Sequence, residues 1–299
     1  MASPDAYTAP FMLTKSMHRD VYPAIDPAQN KDLRADSKVI IIFGATSGLG
    51  YAIAKSWSIA GAEGIVLVGR NAESLQKAED DLASASKVTS VIADVALVQD
   101  TDRVFHQTLD RFGRVDVVVT AFGTMNVAAV GAQDPALWWE NFEVNLKAFY
   151  NVAHSYITTN GGKGTLINLT SLAASFVNPG MSGYGGAKLA AIRLAETIDA
   201  EQPSLRVFSV HPGLVAAEGG RGSVVEAFAP FTRDKAGLTG GLTLYLDTPK
   251  ADFLRGGYIH ANWDVSEMEA HKDEIVEKKL VRLGFLNAKL QPGGHEWSS

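Results

Sequence analysis

The sequence contains no cysteine. That removes disulfide scaffolding, thiolate zinc sites and thiol nucleophiles from consideration. No run approaches the roughly 18 to 20 apolar residues that span a bilayer. Met1 to Pro10 also lacks the basic-then-apolar layout of a signal peptide, so no membrane partner and a cytoplasmic location are expected. Positive charge is in short supply: 27 Lys plus Arg against 33 Asp plus Glu leave a net charge of −6, which offers no field for nucleic acid. The 7 histidines show no ligand-type spacing, and no metal is expected. What remains, 299 residues of which 46% are hydrophobic, is the composition of an ordinary globular chain.

The apolar residues fall in short runs rich in β-branched side chains: Val39 to Phe43, Ile65 to Val68, Val88 to Ile92, Val115 to Val119, Thr165 to Leu169 and Arg206 to Val210. They are too short for buried helices and too uniformly apolar for half-exposed strands, which suits parallel strands covered on both faces. Helix-length segments alternate with them: Leu49 to Ala60, Ala72 to Ala83, Val98 to Phe112, Pro135 to Thr159 and Tyr184 to Glu201. Strict alternation implies right-handed βαβ crossovers and a single α/β domain with a doubly wound parallel sheet. The expected organisation is a proline-bearing, irregular N-terminal arm (1–37), a domain (38–265) with a short substrate lid at about 215–233, and a charged C-terminal tail (266–299). In that tail Val281, Leu283, Phe285 and Leu286 serve packing or subunit contact.

The first strand runs into Gly44-Ala45-Thr46-Ser47-Gly48-Leu49-Gly50 and then a helix. Glycines there permit a tight turn and a close backbone approach, and the helix start offers free N–H groups with positive dipole character, which suits a pyrophosphate. A nucleoside-triphosphate loop is excluded because no Gly-Lys-Ser or Gly-Lys-Thr ends the turn. A site for NAD carries an acidic residue about 20 positions on, at the ribose hydroxyls. Here Gly69, Arg70 and Asn71 occupy that place. A guanidinium can pair with a 2′-phosphate and stack on adenine, so NADP is expected over NAD, with Thr46 and Ser47 as further donors. Asp94 either accepts from the adenine amino group or caps the next helix. Leu49, Val95, Ala121 and Gly123 complete the expected cofactor contacts.

Tyr184 and Lys188 stand one helical turn apart and project from one face. A phenol titrates near 10, and a close ammonium lowers that value, making it a usable proton relay. Ser171 follows the fifth strand at the same sheet edge as the glycine loop.

With Glu143-Val144-Asn145, Asn168-Leu169-Thr170-Ser171, Tyr184-Gly185-Gly186-Ala187-Lys188 and Pro212-Gly213, the stretch from about Lys38 to about Trp263 resembles the short-chain dehydrogenase/reductase family. The resemblance implies a Rossmann fold and an NADP-dependent oxidoreductase acting on a CH–OH or C=O group. It makes Tyr184 the general acid or base, Ser171 a hydrogen-bond partner of the substrate oxygen, and Lys188 a ligand of the nicotinamide ribose that also lowers the phenol. Asn145 anchors a water leading from Lys188 to solvent, and Pro212, Gly213 and Val215 lie along the nicotinamide. The chain departs from the family where the fourth strand ends: Thr120-Ala121-Phe122-Gly123 replaces Asn-Asn-Ala-Gly. Ala217 also stands where threonine is usual.

Phe122, Leu172, Ala173, Phe176, Met181, Leu214, Phe228 and Phe231 are expected around the substrate, which makes it a lipophilic ketone or alcohol such as a polyketide, terpenoid or alicyclic compound. Tyr22 to Pro27 and Gly257 to Trp263 resemble extensions in fungal members acting in specialised metabolism. The resemblance also implies a homodimer or homotetramer, built on the long helices before Tyr156 and after Tyr184. The competing reading, an NADP(H)-binding sensor or scaffold without turnover, fits poorly with a chain that keeps the whole catalytic set.

Overall fold

The computed structural model describes residues 3–83, 87–216 and 228–284. Seven parallel strands, β1 (Val39–Phe43), β2 (Gly64–Gly69), β3 (Lys87–Ile92), β4 (Val117–Thr120), β5 (Gly164–Leu169), β6 (Leu205–His211) and β7 (Tyr258–His260), pair in the order 3-2-1-4-5-6-7. The chain winds outward from β1 in one direction to β3, then returns to build β4 to β7 on the other side. This is the doubly wound α/β arrangement expected, with a switch point between β1 and β4 where a ligand cleft opens at the carboxyl ends of the strands.

The uniformly apolar strands fill two layers. Ile40 and Ile42 of β1 face one way and join Ile53 and Trp57 of α1 (Gly48–Ile59). Ile41 and Phe43 face the other way and join Phe105 of α3 (Val98–Phe112), after α2 (Ala72–Leu82), and residues of two later helices. All five residues of β1 are fully enclosed. Each such side chain contributes about 1.5–3 kcal/mol, so the strand that carries the glycine turn is firmly held between its neighbours β2 and β4.

The long helix expected over Pro135 to Thr159 is divided. It comprises α4 (Pro135–Phe142), a π-helical turn at Glu143–Lys147 and α5 (Ala148–Asn160). Asp134 caps α4 by accepting from Ala136 N at 2.7 Å. The π turn widens the backbone in the middle of an otherwise continuous rod and turns Asn145 inward. After it come α6 (Ser182–Glu201) and α7 (Ala236–Asp247), whose Thr243 hydroxyl takes the indole N–H of Trp57 at 3.0 Å. Two short helices, α8 (Val265–Ala270) and α9 (Lys272–Glu277), follow β7. Among the described residues no helix is long and apolar enough to cross a membrane.

The N-terminal arm lies along the body of the fold and contains short 3-10 turns at Ala9–Phe11, Pro23–Ile25 and Lys31–Leu33. Ile25 and Leu33 are buried, and Met17 bridges Trp263 beyond β7. Most of the expected lid, and Phe285 and Leu286 of the tail, fall outside the described residues. The lid's described ends are Val215, which pairs with Asp234, and a 3-10 turn at Ala229–Phe231.

Candidate active site

Where β1 ends, the backbone turns sharply to enter α1. Gly44 has φ +88°, and a Cβ there would lie 2.8 Å from Phe122 N, so the turn passes tightly under the exit of β4. Gly50 is more constrained still: its Cβ would meet Gly44 O at 2.1 Å. Together they draw the first turn of α1 against the strand. Ser47 is the N-cap residue, but its side chain makes no capping bond. Beside Gly48 there is open space for at least 4 Å. The free amides at the start of α1 therefore face a cleft of about 550 Å³.

That cleft is lined by Gly44, Thr46, Ser47, Gly48 and Leu49 from the turn, Arg70 from the end of β2, Asp94 and Val95 after β3, Ala121 and Gly123 after β4, and Val215 after β6. Arg70 is exposed at its edge and engages no other side chain among the described residues. Asp94 does not cap α3, whose N-cap is Leu97; its Oδ1 accepts from Ala96 N at 3.0 Å within the loop. Two expectations require correction. Asn71 is absent from the lining because its Oδ1 is used to cap α2, accepting from Ser74 N at 2.8 Å. Phe122 lines this cleft and not the cavity beside Tyr184, its side chain packing against the core layer that holds Ile41 and Phe43.

The catalytic candidates meet at the carboxyl end of β5. Ser171 caps a 3-10 turn at Leu172–Ala174, accepting from Ala173 N at 3.2 Å, and is hydrogen-bonded to Tyr184. Lys188, one turn along α6, is buried, and its ammonium donates to Leu169 O at 2.9 Å. Its Nζ sits 5.9 Å from the centre of the Tyr184 ring. The expected lowering of the phenol does not emerge. Burial raises Tyr184 above its ordinary value, and the Ser171 hydrogen bond only partly opposes that. The Lys188 ammonium spends its hydrogen bond on the Leu169 carbonyl and not on the phenol. The same burial lowers Lys188 to about 8.

Asn145 is held by its amide nitrogen, which donates to Thr124 O at 2.8 Å and Asn141 O at 2.9 Å. Its Oδ1 is buried with no partner among the described residues. That oxygen and Lys188 Nζ lie 3.0 and 3.7 Å from the point where a Cβ on Gly123 would sit. A buried acceptor of this kind calls for a donor such as water. At the departure from the family pattern, Thr120 Oγ1 donates to Asn168 Oδ1 at 2.8 Å and ties the ends of β4 and β5 together.

A second cavity, about 230 Å³, adjoins Tyr184 and Ser171. Leu172, Phe176, Met181, Leu214 and Phe228 line it, as do Pro212 and Gly213. Sequence reasoning missed Tyr7, Met125, Asn178, His211 and Thr232, which line it too. His211 accepts from Leu172 N through Nδ1 at 3.2 Å and so braces the turn that carries Ser171, while burial lowers its own pKa to about 3. Among the described residues no cluster of three potential metal ligands occurs.

Comparison with known proteins agrees with this architecture. A sequence model described as short chain dehydrogenase matches residues 38–224. The short chain dehydrogenase pigC of Monascus ruber is 31% identical over 92% of this chain and 94% of its own. The short chain dehydrogenase andI of Emericella variicolor is 30% identical over 90% and 94%. Among solved structures, a putative short-chain dehydrogenase/reductase from Burkholderia xenovorans superposes with a TM-score of 0.70 at 25% identity, covering 79% of this chain and 98% of that one. A 7α-hydroxysteroid dehydrogenase solved with NADH and 7-oxo glycochenodeoxycholic acid gives 0.69 at 22%, covering 77% and 94%, and shares the fold.

Proposed function

The chain belongs to the short chain dehydrogenase family, and from that premise we propose that it is an NADP(H)-dependent ketoreductase that converts a lipophilic ketone to a secondary alcohol or runs the reverse reaction. The observation that carries the reading is the convergence of Ser171, Tyr184 and Lys188 where an apolar cavity meets a dinucleotide-shaped cleft. The residues fit a dinucleotide. Free helix amides and the Ser47 side chain, which makes no capping bond, face a glycine-floored cradle, and among the described residues Arg70 has no side-chain partner where NAD sites carry a carboxylate. When bound, the nicotinamide supplies the hydride that the carbonyl carbon receives.

The protein's own work is proton delivery and charge stabilisation. The Tyr184 phenol gives its proton to the carbonyl oxygen, and Ser171 holds that oxygen as negative character develops. A raised phenol suits this direction, because the group stays protonated at neutral pH until the oxygen demands the proton. Lys188 and a water on Asn145 Oδ1 return a proton from solvent. The apolar lining excludes bulk water and selects a lipophilic substrate. Similarity to fungal short chain dehydrogenases supports a role in fungal specialised metabolism. A cytoplasmic homodimer or homotetramer completes the proposal.

The experiment is NADPH oxidation by the purified protein across hydrophobic ketones, with NADH in parallel and Tyr184→Phe as control. Turnover that falls about 10²- to 10⁴-fold in the variant is the expected result. A folded, nucleotide-binding protein that turned over nothing in either direction would refute the enzyme and favour a nucleotide sensor.

A further inference from the structure

The start of the chain closes over the substrate cavity. Tyr7 is the hub of an aromatic group, with ring centres 4.9 Å from Phe231 edge-on, 5.3 Å from Phe228 and 6.4 Å from Phe176. Phe11 adds a contact of 5.5 Å to Phe176. Tyr7, Phe176 and Phe228 face the same cavity as Ser171 and Tyr184.

This roof is anchored. Arg19 pairs with Asp5 and, at 2.7 Å, with Asp234, whose side chain is completely enclosed. The other oxygen of Asp234 accepts from Leu214 N at 2.6 Å, in the wall of the cavity. Behind it Trp263 donates its indole N–H to Phe11 O at 2.9 Å. Glu267 takes the amides of Lys15 and Ser16 at 2.8 Å each. The arm is thus fixed to the cavity wall on one side and to α8 on the other.

We propose that residues 5–11 form a preorganised aromatic roof, with Tyr7 the specificity residue that selects flat, conjugated ketones over saturated ones of equal size. The proposal rests on the ketoreductase reading. Rings at these tilts present both negative faces and positive edges, and a planar π-system between Phe176 and Phe228 pairs with them in a way that a puckered ring of the same area cannot. The cavity, about 230 Å³, exceeds the roughly 150 Å³ that accommodates benzene, so two fused rings fit. Because the roof is already ordered, binding does not lose affinity to fixing it. Tyr7 touches the body of the substrate and not its reacting atoms, so its removal acts on KM and leaves kcat.

The test compares α-tetralone, a benzo-fused ketone, with 1-decalone, its saturated counterpart, as the ratio of kcat/KM with NADPH. In Tyr7→Leu the ratio falls about fivefold through KM, while Tyr7→Phe retains it. An unchanged ratio in Tyr7→Leu, or an equal drop in Tyr7→Phe, overturns the roof. Should Tyr7→Leu melt below the wild type, Phe228→Leu reads the same ratio from the facing wall. If the wild type reduces neither ketone, the reductase reading is decided separately by the wider ketone panel. The roof is then read from direct titration with α-tetralone: about fivefold weaker binding in Tyr7→Leu than in Tyr7→Phe supports it, and equal binding overturns it.

Discussion

Replacing Lys188 by methionine should remove catalysis and stabilise the fold. The ammonium is buried, and its pKa drops from 10.5 to about 8. Keeping it charged at pH 7 costs about 3 kcal/mol relative to the unfolded chain. Against this stands its hydrogen bond to Leu169 O at 2.9 Å, whose loss costs about 1–2 kcal/mol. Lys188→Met should therefore gain on the order of 1–2 kcal/mol at pH 7. The sign follows from the depressed pKa. Above 10.5 the amine is neutral in both states and no penalty exists; as pH falls toward 8 the unfolded chain binds the proton first, and wild-type stability declines; below 8 the loss is complete. Urea denaturation of both proteins from pH 6 to 10, without added nucleotide, measures the difference, and other titrating groups cancel. The variant's advantage should be largest below pH 8 and shrink toward pH 10. A difference that stays constant over that range would refute the reasoning.

Gly50→Ala should cost about 2–3 kcal/mol in denaturant titrations and abolish nucleotide binding, because the new methyl group would press on Gly44 O from 2.1 Å. His211→Phe leaves Leu172 N without its acceptor; a loss of about 1–3 kcal/mol is expected, along with weaker turnover as the Ser171 turn loosens. Since burial holds His211 near 3, it stays neutral above pH 5, and no titration step between pH 5 and 8 should vanish with it. Arg70→Ala should weaken NADPH about 10- to 100-fold, with NADH nearly unaffected. An unchanged ratio of the two coenzymes in steady-state kinetics would remove the case for NADP.

Legibility in the sequence followed physical signal strength. The six apolar runs and the glycine turn were readable because enclosed parallel strands tolerate nothing polar and the turn tolerates no Cβ. The strand β7 was not, since it has three residues inside Tyr258-Ile259-His260 and pairs along only one edge. Helix α7 also escaped: nine of its twelve residues are buried, so it has no polar face to set a period. The π turn at Glu143–Lys147 carries no breaker residue, and nothing in a periodic pattern marks it. The capping of α2 by Asn71 was not legible, because a helix cap and a ribose contact call for the same side chain. Tyr7 left no trace, as a lone aromatic residue in a proline-bearing arm gains meaning only from the three phenylalanines that meet it, two of them more than 200 positions away.

The anchoring of the arm also sets an order of assembly. Lys15 and Ser16 bond to Glu267, and Arg19 to Asp234, pairings separated by 252, 251 and 215 positions. During synthesis at about 5–20 residues per second, the first twenty residues wait roughly 12–50 s before their partners exist. The glycine turn after β1, complete once β4 emerges, matures early, while the wall of the cavity beside Tyr184 is finished last, when Arg19 meets Asp234 and Lys15 and Ser16 meet Glu267.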